Sequence, residues 1–234
     1  MKGLIKINNN DILTDKIDKS LVLKYLGYED NITIKDDINS ILDECIEIIE
    51  KSSKPAFLYS YFDIKRKVSG TTVCGTSLVL KGKSIYNHLN NCNKVAIICL
   101  TLSNEIDKII TQSKFDVLRQ LFLDMSASVY VEQLCEKVFK TIKNENKDLF
   151  ATNRYGVGYG DFPLSQQEEV LTVINAQKRL GVMTTNEGIL TPRKSITAVI
   201  GFSNKKTPSS YNSCDDCLLR NNCEYFMKGE HCGK

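Results

Sequence analysis

The spacing of apolar residues predicts two amphipathic helices. In residues 36–50, apolar side chains recur every three or four positions and the acidic residues lie on the opposite face. Asp36 and Asp37 suit the positive N-terminal end of such a helix. Residues 116–143 keep the helical period for about seven turns and predict the longest helix. Ala127 and Ser128 leave its middle narrow, which lets another backbone or a ligand approach there.

Strands are predicted where apolar residues alternate or run continuously between proline and glycine residues. The predicted strands are residues 56–64, 75–82, 94–102 and 194–202. Residues 83–93 predict a short helix between the second and third of them. The mixture of strands and helices predicts an α/β or α+β domain.

The segment before the last strand predicts one further helix. Ser165 followed by Glu168 has the spacing of a capping box, which begins a helix by satisfying its first amide groups. The helix is expected to reach Leu180. Gly181 stands where a left-handed C-terminal cap belongs.

Composition narrows the class of protein. The chain has 234 residues, 42% hydrophobic and 25% charged, which is enough to bury a sizeable core. The 31 basic and 28 acidic residues leave a net charge of +3, too small an excess for a general nucleic-acid binder. No apolar run approaches the roughly 20 residues that span a bilayer, and the asparagines after MKGLIKI interrupt any signal sequence. We therefore expect a cytoplasmic protein that binds neither nucleic acid nor membrane.

The nine cysteines fall into two groups, five scattered along the chain (Cys45, Cys74, Cys92, Cys99 and Cys135) and four close together. Cys45, Cys99 and Cys135 lie in apolar segments, where a reduced cysteine behaves as a small hydrophobic residue, so we expect them in the core. The last four cysteines are instead clustered near the end of the chain, after the linker-like segment SNKKTPSSYNS. We therefore divide the chain into a main domain, residues 1–203, and a linker with a four-cysteine tail, residues 204–234.

The clustered cysteines are candidate metal ligands. Cys214, Cys217, Cys223 and Cys232 have the spacing C-x2-C-x5-C-x8-C, and His231 is a possible substitute ligand. Four thiolates hold zinc tetrahedrally or bind an iron–sulfur cluster, and such clustering in a reducing compartment favours metal or redox chemistry over disulfides. The alternative is a reducible tail that binds nothing.

The motif RYGVGYGDFP, which begins at Arg154, has a different chemistry. It lacks the glycine spacing of a dinucleotide-binding fingerprint and the lysine of a phosphate-binding loop. One interpretation is a glycine-rich turn. The other is that Gly156, Gly158 and Gly160 let the main chain approach a flat ligand, while Arg154 binds a carboxylate and Tyr159 faces a purine or a cation.

The motif and its surroundings resemble a known family. RYGVGYGDFPLSQQEEVL followed by RLGVMTTNEGILTPRKSITAVIGF is similar to the reactivation domain of cobalamin-dependent methionine synthase. The resemblance is specific over residues 150–203 and looser upstream, as far as GTSLVLKGKSIYNHL. It implies an α+β fold, with a twisted, mainly antiparallel sheet flanked by helices that include one long helix. It also implies S-adenosylmethionine as the ligand.

The resemblance further implies a role for each motif residue. Arg154 would hold the methionyl carboxylate and Tyr159 would lie beside the ligand. The main chain at Gly156, Gly158, Gly160 and Asp161 would receive the adenosine and the surroundings of the sulfonium. No catalytic acid or base is implied.

The resemblance also implies partners. The chain lacks the modules that bind homocysteine, folate and cobalamin, so it would support reductive methylation of inactive cob(II)alamin on a separate methionine synthase. Flavodoxin or ferredoxin would supply the electron. Two alternatives stay open: a metal-binding redox or interaction module in which the tail is the working part, and a reactivator of another corrinoid methyltransferase.

Four other polar residues are weaker candidates. His88 has no carboxylate or cysteine near it in sequence, so we expect it on the surface of its helix. Asp124 on the long helix faces either solvent or a ligand pocket. Arg193 and Lys194 either dock an acidic partner or are simply solvated.

Overall fold

The computed structural model describes residues 5–8, 15–28, 35–205 and 220–227. Ten strands occur in these residues: β1 Ile5–Asn8, β2 Ala56–Lys67, β3 Gly70–Val73, β4 Val79–Leu80, β5 Lys94–Thr101, β6 Phe150–Ala151, β7 Tyr155–Gly156, β8 Met183–Thr184, β9 Leu190–Thr191 and β10 Ser195–Ser203. The helices are α1 Lys19–Tyr25, α2 Asp36–Ser52, α3 Lys83–His88, α4 Asn104–Gln112, α5 Val117–Glu145, α6 Gln167–Val173, α7 Ala176–Leu180 and α8 Glu224–Met227.

One antiparallel sheet organises the fold. Its strand order is β4-β3-β2-β5-β10-β6, with β1 also paired to β2 and β7 also paired to β10. β8 and β9 form a separate two-stranded sheet. The prediction of an α+β fold with a mainly antiparallel sheet and one long helix is confirmed.

Helices cover both faces of the sheet and create two cores. Because successive side chains of a strand point to opposite faces, β5 contributes to both cores. One core contains residues of α1, α2, α4 and α5, and the other contains residues of α3, α6 and α7. From β5, the first core takes Ala96, Ile98 and Leu100, and the second takes Val95, Ile97 and Cys99. Burial on both sides explains why this strand is a continuous apolar run.

The predicted strand 75–82 is mostly wrong. Only Val79–Leu80 is extended there, and the unpredicted strand β3 precedes it. Gly75 has a φ of +78°, and the amide of Thr76 donates to the carbonyl of Val73 at 3.3 Å. A left-handed residue closes a turn at that point, so the chain reverses where the apolar pattern predicted a single strand.

The predicted capping box is also wrong. Ser165 lies inside a short 3-10 turn, Leu164–Gln166, and α6 begins after it. Asn175, with a φ of +59°, then separates α6 from α7. The cap at Gly181 is confirmed, because its φ is +69° and its amide donates to the carbonyl of Gln177 at 3.0 Å.

The three cysteines predicted to be in the core are buried there. Cys45, Cys99 and Cys135 are each fully buried. Burial raises the pKa of the Cys45 thiol to about 11 and that of Cys135 to about 12, so both remain protonated. They act as apolar packing groups. Separately, every helix in the described part of the chain is too short or too polar to cross a membrane.

Candidate functional site

The motif RYGVGYGDFP lies at one edge of the main sheet. β7 pairs with β10, so that Gly156 lies opposite Ala198. β6 pairs with the end of the same strand, and the amide of Thr152 donates to the carbonyl of Gly201 at 2.9 Å. Arg154 therefore lies between two short strands, β6 and β7, and both are hydrogen-bonded to the long strand β10.

Two glycines of the motif are required by the turn itself. Gly158 and Gly160 have φ values of +92° and +54°. The amide of Gly158 donates to the carbonyl of Phe162 at 3.0 Å. A Cβ on Gly160 would lie 2.7 Å from the Ser84 hydroxyl and 2.9 Å from the Tyr155 hydroxyl. The tight turn thus accounts for both glycines without a ligand.

Arg154 is bound by two carboxylates of the long helix. Its guanidinium lies 3.2 Å from Glu132 and 3.5 Å from Glu136, and its side chain is only 22% exposed. Residues four apart lie on the same face of a helix, so α5 presents both glutamates together. Burial alone would lower the pKa of Arg154, but nearby groups including both carboxylates raise it, so the guanidinium stays charged.

Tyr159 lies against the main chain of Gly156 and beside Tyr155, with 6.3 Å between the two ring centres. Tyr155 packs into the core beneath α3, and alternation directs its neighbours Arg154 and Gly156 to the opposite face. A Cβ on Gly156 would lie 3.0 Å from the Tyr159 ring, so the ring covers the glycine main chain. The Tyr159 side chain is nevertheless 60% exposed. Strand alternation thus places Arg154 and Gly156 on one face, and the accessible ring of Tyr159 adjoins Gly156.

Asp161 holds the turn against the start of α3. Its carboxylate accepts hydrogen bonds from the amides of Lys83 at 2.7 Å and Ser84 at 2.8 Å. The Ser84 amide foremost, together with that of Lys83, lowers the pKa of Asp161. The side chain acts as an N-cap supplied from a distant part of the chain, because Gly82 has no side chain of its own to do so.

We expect Asp161→Ala to lower the free energy of unfolding by roughly 0.5–2 kcal/mol, the usual cost of losing an N-cap. Urea unfolding would measure the change. Asp161→Asn keeps one acceptor oxygen and should lose less. Equal stability of the alanine variant and the wild type would contradict the anchoring role.

The comparisons with known proteins concern the fold. No protein-family model matches the chain, and no curated protein is detectably similar to it in sequence. Among solved structures, the MetH reactivation domain bound to AdoHcy matches 97% of this chain and 86% of its own. The TM-score is 0.65 and the sequence identity is 12%. This chain has the fold of the MetH reactivation domain. The resemblance inferred from the motif is thereby confirmed in the fold.

Within this reactivation-domain fold, the expectation that His88 lies on the surface is wrong. The side chain is buried, its Nε2 lies 2.9 Å from the carbonyl oxygen of Asn153, and its ring centre is 4.7 Å from that of Tyr155. Burial lowers the pKa of His88 to about 4, so the imidazole is neutral near pH 7. Asn153 is far from His88 in sequence, so the residues next to His88 in its helix could not indicate this contact.

Lys194 also has an internal role in this fold. Its ammonium group lies 2.8 Å from the Ser128 hydroxyl and 2.9 Å from the carboxylate of Asp124, and its side chain is 11% exposed. The narrow middle of α5 thus admits the lysine side chain at Ser128. Asp124 forms an ion pair with this lysine. The sequence predicts that Asp124 faces either solvent or a ligand pocket, and it does not predict this pair. Arg193 is exposed.

Sequence reasoning also missed a second anchor of the motif. The buried side chain of Gln166 accepts a hydrogen bond from the amide of Lys81 and donates one to the carbonyl of Val79, each at 2.7 Å. It satisfies the outer edge of β4 as another strand would. The available signal was the first of two adjacent glutamines, three residues after Pro163, which is too weak to identify the partner strand.

Of the four candidate metal ligands, the structure describes only Cys223. It lies between a 3-10 turn, Arg220–Asn222, and α8, and it is partly exposed. Cys214, Cys217 and Cys232 lie outside the described residues. Within the described residues, no three His, Cys, Asp or Glu side chains form a metal-binding group. The metal site, like the division at residues 203 and 204, stays a prediction.

Proposed function

We propose that this chain binds S-adenosylmethionine on the surface formed by Arg154, Gly156 and Tyr159, and supports methylation of cobalamin on a separate protein. The observation that carries the proposal is the position of this motif in a fold shared with an AdoHcy-bound reactivation domain. AdoHcy is S-adenosylmethionine without its transferable methyl group. A surface that receives one therefore meets the adenosine and the amino-acid end of the other.

The motif residues have complementary tasks in this proposal. Arg154 binds the methionyl carboxylate, because a guanidinium fork matches a carboxylate in charge and geometry. The exposed ring of Tyr159 lies beside the positively charged sulfonium or the purine. The main chain of Gly156, Gly158 and Gly160 lies against the adenosine. Asp161 contributes through its main chain, while its carboxylate fixes the turn.

The proposed partner is the cobalamin-binding module of a methionine synthase. Its inactive cob(II)alamin gains one electron from a flavodoxin or ferredoxin, and the methyl group of S-adenosylmethionine then passes to the reduced cobalt, leaving AdoHcy. In this scheme our chain binds and orients the methyl donor. No acid or base is needed, because no proton moves. The alternative is that the partner is another corrinoid methyltransferase, which the partner experiment described below would reveal.

Calorimetric titration with S-adenosylmethionine tests the binding step. We expect saturable binding with one site per chain, and the same binding in the double variant Cys214→Ser/Cys217→Ser, since the motif lies in the main sheet. Absence of binding in the folded wild type would refute the proposal and favour the metal-binding tail as the working part. Adding the liganded chain to cob(II)alamin methionine synthase with reduced flavodoxin then identifies the partner by the appearance of methylcobalamin.

A further inference from the structure

We infer that two copies of this chain form a symmetric dimer through an exposed apolar surface at the start of α5. This surface, the α5 patch, consists of Phe115, Val117, Leu118 and Leu121, whose exposed fractions are 90%, 75%, 37% and 47%. The inference goes beyond the proposed function, because the α5 patch lies outside the motif and outside the proposed ligand surface.

The first support is the spacing of the side chains. Val117 and Leu121 are four residues apart, and Leu118 and Leu121 are three apart, so they lie on one face of α5. An apolar stripe with this spacing is typical of a helix that packs against another element. Among the described residues, α1, α2 and α4 also contact α5, and they leave this stripe exposed.

The second support is the size of the α5 patch. Contiguous apolar patches of about 300–600 Å² on a monomer often mark interaction sites, and one almost fully exposed phenylalanine with three exposed aliphatic side chains reaches that range. A standard protein interface buries about 800 Å² per partner, including its polar rim. The α5 patch is thus large enough for the apolar centre of a small interface, and we expect a reversible dimer.

The third support is the charge around the α5 patch, which favours a second copy as the occupant. Lys114 lies with its ammonium group 5.0 Å from the centre of the Phe115 ring, and Asp116 is the N-cap of α5. Arg119 is neutralised by its ion pair with Glu44. The charges therefore have both signs and sum to zero, which offers little to a partner of one sign. A two-fold axis instead brings Lys114 of each copy towards Asp116 of the other.

A dimer of this kind leaves the motif open. Glu132, which pairs with Arg154, lies about four turns, or roughly 22 Å, further along α5 than Val117. Each copy would therefore keep its proposed ligand surface accessible to S-adenosylmethionine and to the cobalamin-binding protein.

Sedimentation velocity over a wide range of protein concentrations tests the inference. We expect the wild type to change reversibly from monomer to dimer as its concentration rises. Val117→Glu should weaken the dimer at least about tenfold, because a symmetric interface would bury one unpaired carboxylate from each copy. The variant should fold, since Val117 is exposed and a glutamate suits the first turn of a helix.

Val68→Glu is the matched control. Val68 is fully exposed in the turn between β2 and β3, so this variant makes the same substitution away from the α5 patch. It should dimerise as the wild type does. Equal dimerisation of Val117→Glu and the wild type would overturn the inference, because the copies would then meet through another face.

A wild type that stays monomeric at every concentration would also overturn it. If that monomer instead sediments with a cobalamin-binding module, and Val117→Glu does not, the α5 patch belongs to that partner and not to a second copy. Titration with S-adenosylmethionine keeps these results separate from the proposed function. Val117→Glu should bind the ligand as the wild type does, and a wild type that dimerises without binding the ligand would refute only the proposed function.

Discussion

Arg154→Ala is expected to lower the affinity for S-adenosylmethionine at least about tenfold. Hydrogen bonds to charged groups contribute roughly 1.5–3 kcal/mol, and each 1.4 kcal/mol is a tenfold change in affinity. The variant also leaves Glu132 and Glu136 without their shared cation. Their negative charge would then face the ligand carboxylate, which places the loss toward the upper end of that range. Calorimetric titration measures it directly.

Two further variants make the result specific. Arg154→Lys keeps the charge but lacks the planar fork, so we expect an intermediate loss. Arg119→Ala removes another arginine that pairs with a glutamate, far from the motif in sequence, and should bind as the wild type does. Thermal unfolding establishes that each variant is folded. Unchanged affinity in folded Arg154→Ala would show that this arginine does not hold the carboxylate.

Sequence-based prediction succeeded where a local pattern of apolar residues repeats over a long segment. The long helix was predicted at residues 116–143 and observed at Val117–Glu145, because its apolar period is a local property repeated over many turns. The strand predicted at 194–202 is β10, for the same reason. Gly75 and Asn175 interrupted other predictions, because each adopts a left-handed conformation that the apolar pattern does not encode.

The candidate site shows the same limit. Arg154 and Tyr159 were found because they lie five positions apart in one motif. Their surroundings come from other elements: Glu132 and Glu136 from α5, and the start of α3 opposite Asp161. Two acidic residues four apart on a helix are common on solvated faces, so they carry no signal until the fold places an arginine beside them.

The buried histidine leads to the other large effect that we expect. Between pH 6.5 and pH 4, protonation of His88 in the unfolded chain should remove about 3 kcal/mol from the free energy of unfolding. In the folded protein the pKa of His88 is about 4, against an ordinary value of 6.5. The unfolded chain therefore takes up a proton first as the pH falls, and stability is lost through that window. Above pH 6.5 the imidazole is neutral in both states, so its contribution is fully present.

His88→Gln isolates this effect from that of the carboxylates. Glutamine places an amide N–H near the carbonyl of Asn153, as the imidazole Nε2 does, and it does not titrate. Urea unfolding of both proteins at pH 7, 5.5 and 4 would measure the difference, with acidic residues contributing equally to each. We expect the two stability curves to diverge below pH 6.5, the wild type losing more. Curves that stay parallel to pH 4 would show that His88 is protonated as readily in the folded protein as in the unfolded chain.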